Sequence, residues 1–487
     1  MLFNSLNFLL FFMGLCIIYY AVPHRFKWMI MLVASIGFYM CFNPLHVAVL
    51  LVVAAVSYLT GLAVYNNDKK KAKKVILTAG IILSCLFLLL GKYADFFMQN
   101  IYMLLDMLKI PYSVSNIKFI LPVGISFFTF KAVSYIVDAY RGKIVEKNFF
   151  RYLLYVSFFP QIASGPIERS TNLIPQFGKE HKFNSKMVES GLCLMLVGFF
   201  KKMVVADNLS GVVSKVFSDA EMYSPIVLFG IACAYSLQIF CDFSGYSDIA
   251  IGCTKVLGIT TAPNFDNPYF SKSIVEFWRK WHISLSSWFK DYLYIPLGGN
   301  RKGKVRKFTN LMIVFLVSGL WHGASWNFIF WGFLHGLYQI IGALTLNIRK
   351  TFCKFIHVDR SEKLHNFIKM VITFILVTFA WIFFKADSIY DGFNYIRCML
   401  FNSSDALNLR TIIASVKMLF QNKTTLISFV VSLGSFIPFM FFDYKKDFCK
   451  FMSERHTVTK IISFALVISF IVIFASTDVA DFIYIRF

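Results

Sequence analysis

Charge is scarce in this chain. Only 15% of its 487 residues are Asp, Glu, Lys or Arg, where a soluble domain carries about 25%. Acidic residues are the rarest part of that share, 26 against 49 Lys and Arg, which leaves a net charge of +23. The ten cysteines include no C-x-x-C pair and no metal-ligand spacing, and most fall inside apolar runs, so buried unpaired thiols are expected and no metal is. No G-x-S-x-G elbow, P-loop, H-E-x-x-H or dinucleotide fingerprint occurs, which removes the usual support for hydrolase, ATPase, zinc-protease and redox readings. Neither an internal repeat nor a low-complexity linker interrupts the sequence. A single membrane-embedded domain over residues 1–487 is therefore expected.

Apolar residues fill the space that charge leaves. Hydrophobic types make up 57% of the chain and aromatics 18%. Long apolar runs recur at 6–22, 28–42, 45–65, 75–90, 224–240, 311–320 and onward past 331, 371–384, 426–442 and 461–475. A bilayer takes about 17–25 such residues per helix, so the pattern predicts a polytopic all-α membrane protein with on the order of eleven to thirteen spans. The N-terminus lacks a basic n-region and a small-residue cleavage site, and reads as a retained first span. Basic loops at 24–27, 66–74, 141–143, 300–307 and 443–450 suit the cytoplasmic side of a multi-pass protein, and need no nucleic acid to explain them. The first two are separated by two spans joined at Asn43 and Pro44, so both can be cytoplasmic with the N-terminus outside.

The stretch "FWRKWHISLSSWF", Phe277 to Phe289, places Phe277, Trp278, Trp281, Leu285, Trp288 and Phe289 on one side of a helical wheel. Arg279, Lys280, Ser286 and Lys290 fall on the other. One continuous amphipathic helix lying in the membrane interface is expected, with His282 at the margin of the aromatic arc. Lys385 to Thr425 is only weakly hydrophobic, and its "NYIRCMLFN" and "TIIASVKMLF" suggest further interfacial helices.

Titratable groups inside apolar sequence are costly and mark function. "FCDFSGYSDIAIG" (Phe240 to Gly252) carries Asp242 and Asp248, either paired structurally or facing a substrate, and Gly245 suggests a break in the helix. "LVSGLWHGASWNFIFWGFLHG" (Leu316 to Gly336) puts His322 after about eleven apolar residues, between Gly319 and Gly323, with Trp321 and Trp326 as walls. A desolvated, neutral imidazole there is available as a base, although a structural role is equally open; His335 repeats the context. "LPVGISFFTFKAVSYIVDAYRG" (Leu121 to Gly142) and "FFPQIASGPIER" (Phe158 to Arg169) are broken by Pro and Gly, as in re-entrant or kinked segments. A transporter would show many of the same features.

Taken together and in this order, these blocks resemble the membrane-bound O-acyltransferase family, most closely the branch containing the bacterial alginate O-acetylation membrane protein. "EFWRKWHISLSSWFKDYLYIPLGGNRKG" and "VSGLWHGASWNFIFWGFLHG" carry the likeness most strongly, and "FIYIRF" at Phe482 to Phe487 resembles the branch's ending. The resemblance implies a multi-helix bundle around a tunnel, with re-entrant and interfacial helices, in the bacterial cytoplasmic (inner) membrane. It maps the family's key histidine to His322 and its second histidine to His282, and leaves His335 structural. It further implies acetyl transfer from acetyl-CoA or another acyl thioester toward a cell-surface polysaccharide, through an extracytoplasmic acyltransferase partner. D-alanyl transfer to teichoic acid from a carrier-protein thioester is the alternative within the family. Trp278 and Trp281 are expected to border the tunnel mouth. In "PLGGNRKGKVRK" (Pro296 to Lys307), Arg301, Lys302 and Lys304 suggest a phosphate cradle for the donor, or simply the charge that topology demands.

Overall fold

A computed structural model describes residues 1–113, 121–401, 408–420, 422–476 and 482. Its regular elements are helices, with no strand among the described residues. In chain order they are α1 (Leu6–Ala21), α2 (His24–Met40), α3 (Pro44–Tyr65), α4 (Lys70–Leu88), α5 (Ala94–Met107), α6 (Ile125–Tyr140), α7 (Phe149–Ser157), α8 (Phe159–Ile162), α9 (Ser170–Phe177), α10 (Ser185–Phe199), α11 (Asp207–Ser218) and α12 (Pro225–Val256). There follow α13 (Ile274–Lys280), α14 (Ile283–Phe289), α15 (Gly303–His322), α16 (Trp326–Leu344), α17 (Leu346–Phe355), α18 (Glu362–Lys385), α19 (Ile389–Phe401), α20 (Leu409–Leu419), α21 (Lys423–Lys446), α22 (Phe448–Ser453) and α23 (Thr457–Phe474). The protein is an all-α polytopic membrane protein.

Every apolar run named above forms helix, but the runs are not equal as spans. Six helices among the described residues are long and apolar enough to cross a bilayer, or seven if the bent pair α16–α17 counts as one. That is fewer than the eleven to thirteen expected, because an apolar run fixes a helix without fixing its length. The run at 6–22, for instance, yields a helix of 16 residues, short of a full crossing. Along α23, Ile461, Ile462, Leu466, Ile468, Val472 and Ile473 are all exposed. An apolar face this continuous is covered by lipid rather than water.

The chain forms two compact units. Among the described residues, one comprises those of 1–192 and 249–262; the other comprises those of 193–248 and 263–482. In the first unit, α3 packs against α4 and α6, and α2 against α7. The segment after α7 is kinked as its prolines suggest: α8 is a single turn, and 163–169 is not helical. Gly124 has φ of +73°, and a Cβ there would collide with the Ile162 carbonyl oxygen, so only glycine lets α6 start against this segment. Lys131 donates to the Tyr155 carbonyl at 2.9 Å, and the Tyr155 hydroxyl donates to the Glu168 carbonyl at 3.0 Å. These bonds satisfy backbone that the kink frees from helical pairing.

In the second unit, α15 and α16 form an antiparallel hairpin. A Cβ on Gly319 would strike the Phe328 carbonyl oxygen, and one on Gly332 the Phe315 carbonyl oxygen. The two backbones therefore touch, and His322 and Trp331 ride on surfaces fixed relative to each other. Gly245 does not break α12, which runs unbroken for 32 residues. Its missing side chain serves packing instead: a Cβ there would lie 2.8 Å from the Gly198 carbonyl oxygen.

Candidate functional site

The site is built in the second unit from the bottom of the interfacial stretch upward. Ser273 caps α13, its Oγ accepting from the Glu276 amide at 3.1 Å. The stretch then departs from the single helix expected of it. At His282 the backbone turns left-handed, with φ 44° and ψ 55°, and α14 starts afresh at Ile283. Non-glycine residues occupy that region at a cost and only where the surroundings hold them.

Asn264 does the holding. Its backbone oxygen accepts from the Ile283 amide at 2.9 Å. Its side-chain Oδ1 accepts from the Ser284 amide at 3.3 Å and the Ser284 hydroxyl at 2.9 Å, and its Nδ2 donates to Ser247 Oγ at 3.0 Å. The same Oδ1 lies 3.1 Å from His282 Nδ1. A backbone amide only donates, so the Asn264 atom facing His282 is the oxygen, and His282 Nδ1 must carry the proton. The lone pair then resides on Nε2, the nitrogen able to take a proton. His282 is fully buried, and burial pushes its pKa down to about 3, so the ring is neutral throughout the physiological range.

His322 is the last residue of α15 and is 1% exposed. Its ring is walled by Trp321 at 4.9 Å, Trp331 at 5.0 Å and Phe384 at 5.3 Å between centroids. Trp321 lies 6.2 Å from the His282 ring as well. The structure thus brings both expected histidines within ring-contact range of one indole. The wall residue expected at Trp326 is instead half exposed. His335 is buried too, and its Nδ1 accepts from Trp278 Nε1 at 3.1 Å. That bond ties α13 to α16 and occupies the only acceptor His335 has, which supports its structural reading.

Beside these rings lies a cavity of about 560 Å³ between α13–α14 and the α15–α16 hairpin. Its walls are mostly apolar, with Arg279, Lys290 and Lys307 supplying charge. Lys307, Leu311, Val314 and Ser318 line it along one face of α15, a length of about 16 Å from Lys307 to Ser318 at 1.5 Å per residue. Ser318 sits one helical turn before His322. Trp278 lines this cavity, whereas Trp281 is enclosed by Phe265, Phe277 and Trp381 and serves packing. Arg301, Lys302 and Lys304 are not among the lining residues; the cations at the cavity come from helix faces, where spacing along one loop cannot point to them.

Asp242 and Asp248 resolve as ion pairs. Lys202 Nζ lies 2.7 Å from Asp242 and 2.8 Å from Asp207, and Lys201 Nζ lies 2.7 Å from Asp248. Both lysines stand on a widened π turn at Phe200–Ala206, which faces consecutive residues toward α12. The sequence signal was "FFKKMVVAD" (Phe199 to Asp207), two cations and an acid in an apolar setting.

The part of the chain that carries these two buried imidazoles and the cavity-lining cations Arg279, Lys290 and Lys307 falls within a match to a known family. The model of the membrane-bound O-acyltransferase family matches residues 81–386, which contain Asn264, His282 and His322. The chain belongs to the membrane-bound O-acyltransferase family. It is an O-acyltransferase, and the transporter reading falls away. Among similar members is a probable alginate O-acetylase of Azotobacter vinelandii, 35% identical over 393 residues, 80% of this chain and 76% of that protein. A peptidoglycan O-acetyltransferase of Helicobacter pylori is 32% identical over 412 residues, 78% of this chain and 75% of that protein. A teichoic acid D-alanyltransferase of Streptococcus thermophilus is 31% identical over 248 residues, 48% of this chain and 59% of that protein.

Proposed function

We propose that this O-acyltransferase moves acetyl groups from a cytoplasmic thioester donor toward hydroxyls of a cell-surface polysaccharide, with His322 as general base. It would act in a bacterial cytoplasmic membrane and hand the acetyl group on to an extracytoplasmic acyltransferase. The observation that carries the reading is the burial of His322 and His282 around Trp321, inside the part of the chain that matches the family. The names of the alginate and peptidoglycan relatives support acetyl over D-alanyl as the group transferred, since they match four-fifths of the chain where the D-alanyl relative matches half.

In this mechanism His322 accepts the proton of the attacking hydroxyl as its oxygen bonds to the thioester carbonyl carbon. The carbonyl electron pair moves onto oxygen, then returns as the carbon–sulfur bond breaks. The departing thiolate takes the proton back from His322. His282, its Nδ1–H held by Asn264, offers the Nε2 lone pair to orient an acceptor hydroxyl. Apolar walls keep water from competing for the thioester.

Removing the gene from its host tests the reading: acetate released by mild base from purified envelope polysaccharide should disappear. Unchanged acetate with loss of ester-linked D-alanine would replace acetyl by D-alanyl transfer.

The cavity in front of α15 suits the donor, its apolar walls taking the acyl-bearing arm and Arg279, Lys290 and Lys307 its phosphates. Replacing these three with Gln should raise the KM for acetyl-CoA in membrane vesicles roughly 5–30-fold, the sum of three solvent-accessible charge contacts. Added salt should weaken the wild type more than the variant. Gln at Arg301, Lys302 and Lys304 should leave KM unchanged, and the reverse pattern would move the donor to the loop.

A further inference from the structure

Trp331 is fully buried, and five rings surround it: His322 and His335 at 5.0 Å, Phe384 at 5.2 Å, and Trp278 and Trp381 at 5.6 Å. Its Nε1–H has no hydrogen-bond partner among the described residues, although buried N–H groups are nearly always paired. The cage explains why. Trp381 is a donor only, and its Nε1 is likewise buried with no hydrogen-bond partner among the described residues. His335 spends its lone pair on Trp278, which leaves its proton on Nε2, a third buried donor with no such partner. Three buried donors thus gather at Trp331, which itself stands against His322 at 5.0 Å, with no side-chain acceptor assigned to them.

The placement is rigid. Trp331 immediately precedes Gly332, and His322 follows Gly319 by three residues; these glycines make the backbone contacts that lock α15 to α16. A donor held at a fixed distance from the base is the arrangement that stabilises negative charge developing on a carbonyl oxygen without reorganising at the moment of reaction.

We propose that the Trp331 indole N–H is a catalytic donor to the acyl carbonyl oxygen during transfer at His322. The assignment rests on the acyl-transfer reading above and adds the group that receives the negative charge. When the hydroxyl oxygen bonds to the carbonyl carbon, the displaced electron pair resides on the carbonyl oxygen and accepts the Trp331 hydrogen bond. When that pair returns and the carbon–sulfur bond breaks, the hydrogen bond weakens again. Because the bond is strongest with the oxyanion, Trp331 lowers the barrier more than it tightens donor binding.

The test replaces Trp331 in the full-length membrane protein with benzothienylalanine, which keeps the bicyclic shape and exchanges N–H for sulfur. Trp331→Phe serves as the second variant. Initial acetyl transfer from acetyl-CoA is measured in membrane vesicles and normalised to folded protein. The analogue should lose roughly 10²–10³-fold in kcat, with KM for acetyl-CoA changed by less than about two-fold. An analogue with wild-type kcat overturns the assignment, as does one that raises KM alone. If Trp331→Phe lowers activity but the analogue does not, ring shape is what matters and the donor role is refuted. Wild-type vesicles that transfer no acetyl would instead overturn the acetyl-CoA reading on which the assignment depends.

Discussion

His322→Ala should abolish O-acetylation of the envelope polysaccharide while the protein still inserts and folds. Removing a general base costs roughly 10²–10⁴-fold in rate, enough to take polymer-bound acetate below detection. The imidazole is walled by Trp321, Trp331 and Phe384, so its loss opens a small apolar void without exposing a charge, and expression should survive. Acetate released from purified polysaccharide, divided by the amount of protein in the membrane, is the measurement. Near-normal acetate at normal protein level would remove His322 from the chemistry and leave His282 as the base.

Lys202→Met should fail for a different reason, by unfolding. Lys202 is buried between Asp207 and Asp242, and its ammonium also lies over the Phe482 ring at 4.2 Å. Removing the cation strands carboxylates in a medium that solvates them poorly, and breaking such a buried pair typically costs about 3–5 kcal/mol. That is a large share of a protein's total stability. Detergent-solubilised Lys202→Met should therefore run as aggregate in size-exclusion chromatography where the wild type is monodisperse. Adding Asp242→Asn to the same chain removes one stranded charge and should recover part of the folded peak. A monodisperse single variant would mean that the carboxylates find protons or other cations, and that the cluster is not a stability element.

What could be read from the sequence divides along physical lines. The burial of His322 was legible because depth along a helix is a one-dimensional property: about eleven apolar residues before an imidazole locate it whatever else the fold does. The all-α membrane class was legible for the same reason. Asp242 and Asp248 stood out as costly, but their partners lie 40 and 47 residues back along the chain, a distance that periodicity does not cross. Gly245 looked like a break because glycine weakens a helix locally, while its actual service is to let α12 approach the Gly198 carbonyl. Trp278 and Trp281 looked equivalent on the wheel, and the fold separates them, one on the cavity wall and one enclosed. Asn264 was missed altogether. It sits 18 residues before His282 in an unremarked loop, and only the folded chain brings its amide beneath the histidine. The resemblance supplied His282 as a candidate site residue; its fixed tautomer came from the geometry. The ending "FIYIRF" lies outside the described residues apart from Phe482.

The left-handed backbone at His282 changes how substitutions there are to be compared. Alanine removes the imidazole but keeps a Cβ in a region that disfavours it by about 1–2 kcal/mol, as the histidine itself does, so an alanine variant reports the lost ring at unchanged Cβ strain. Glycine adopts φ of +44° freely and deletes the ring while leaving the hinge between α13 and α14 at rest. The difference between the two variants is a strain measurement, and the alanine variant, which keeps the wild-type Cβ, isolates what the ring contributes.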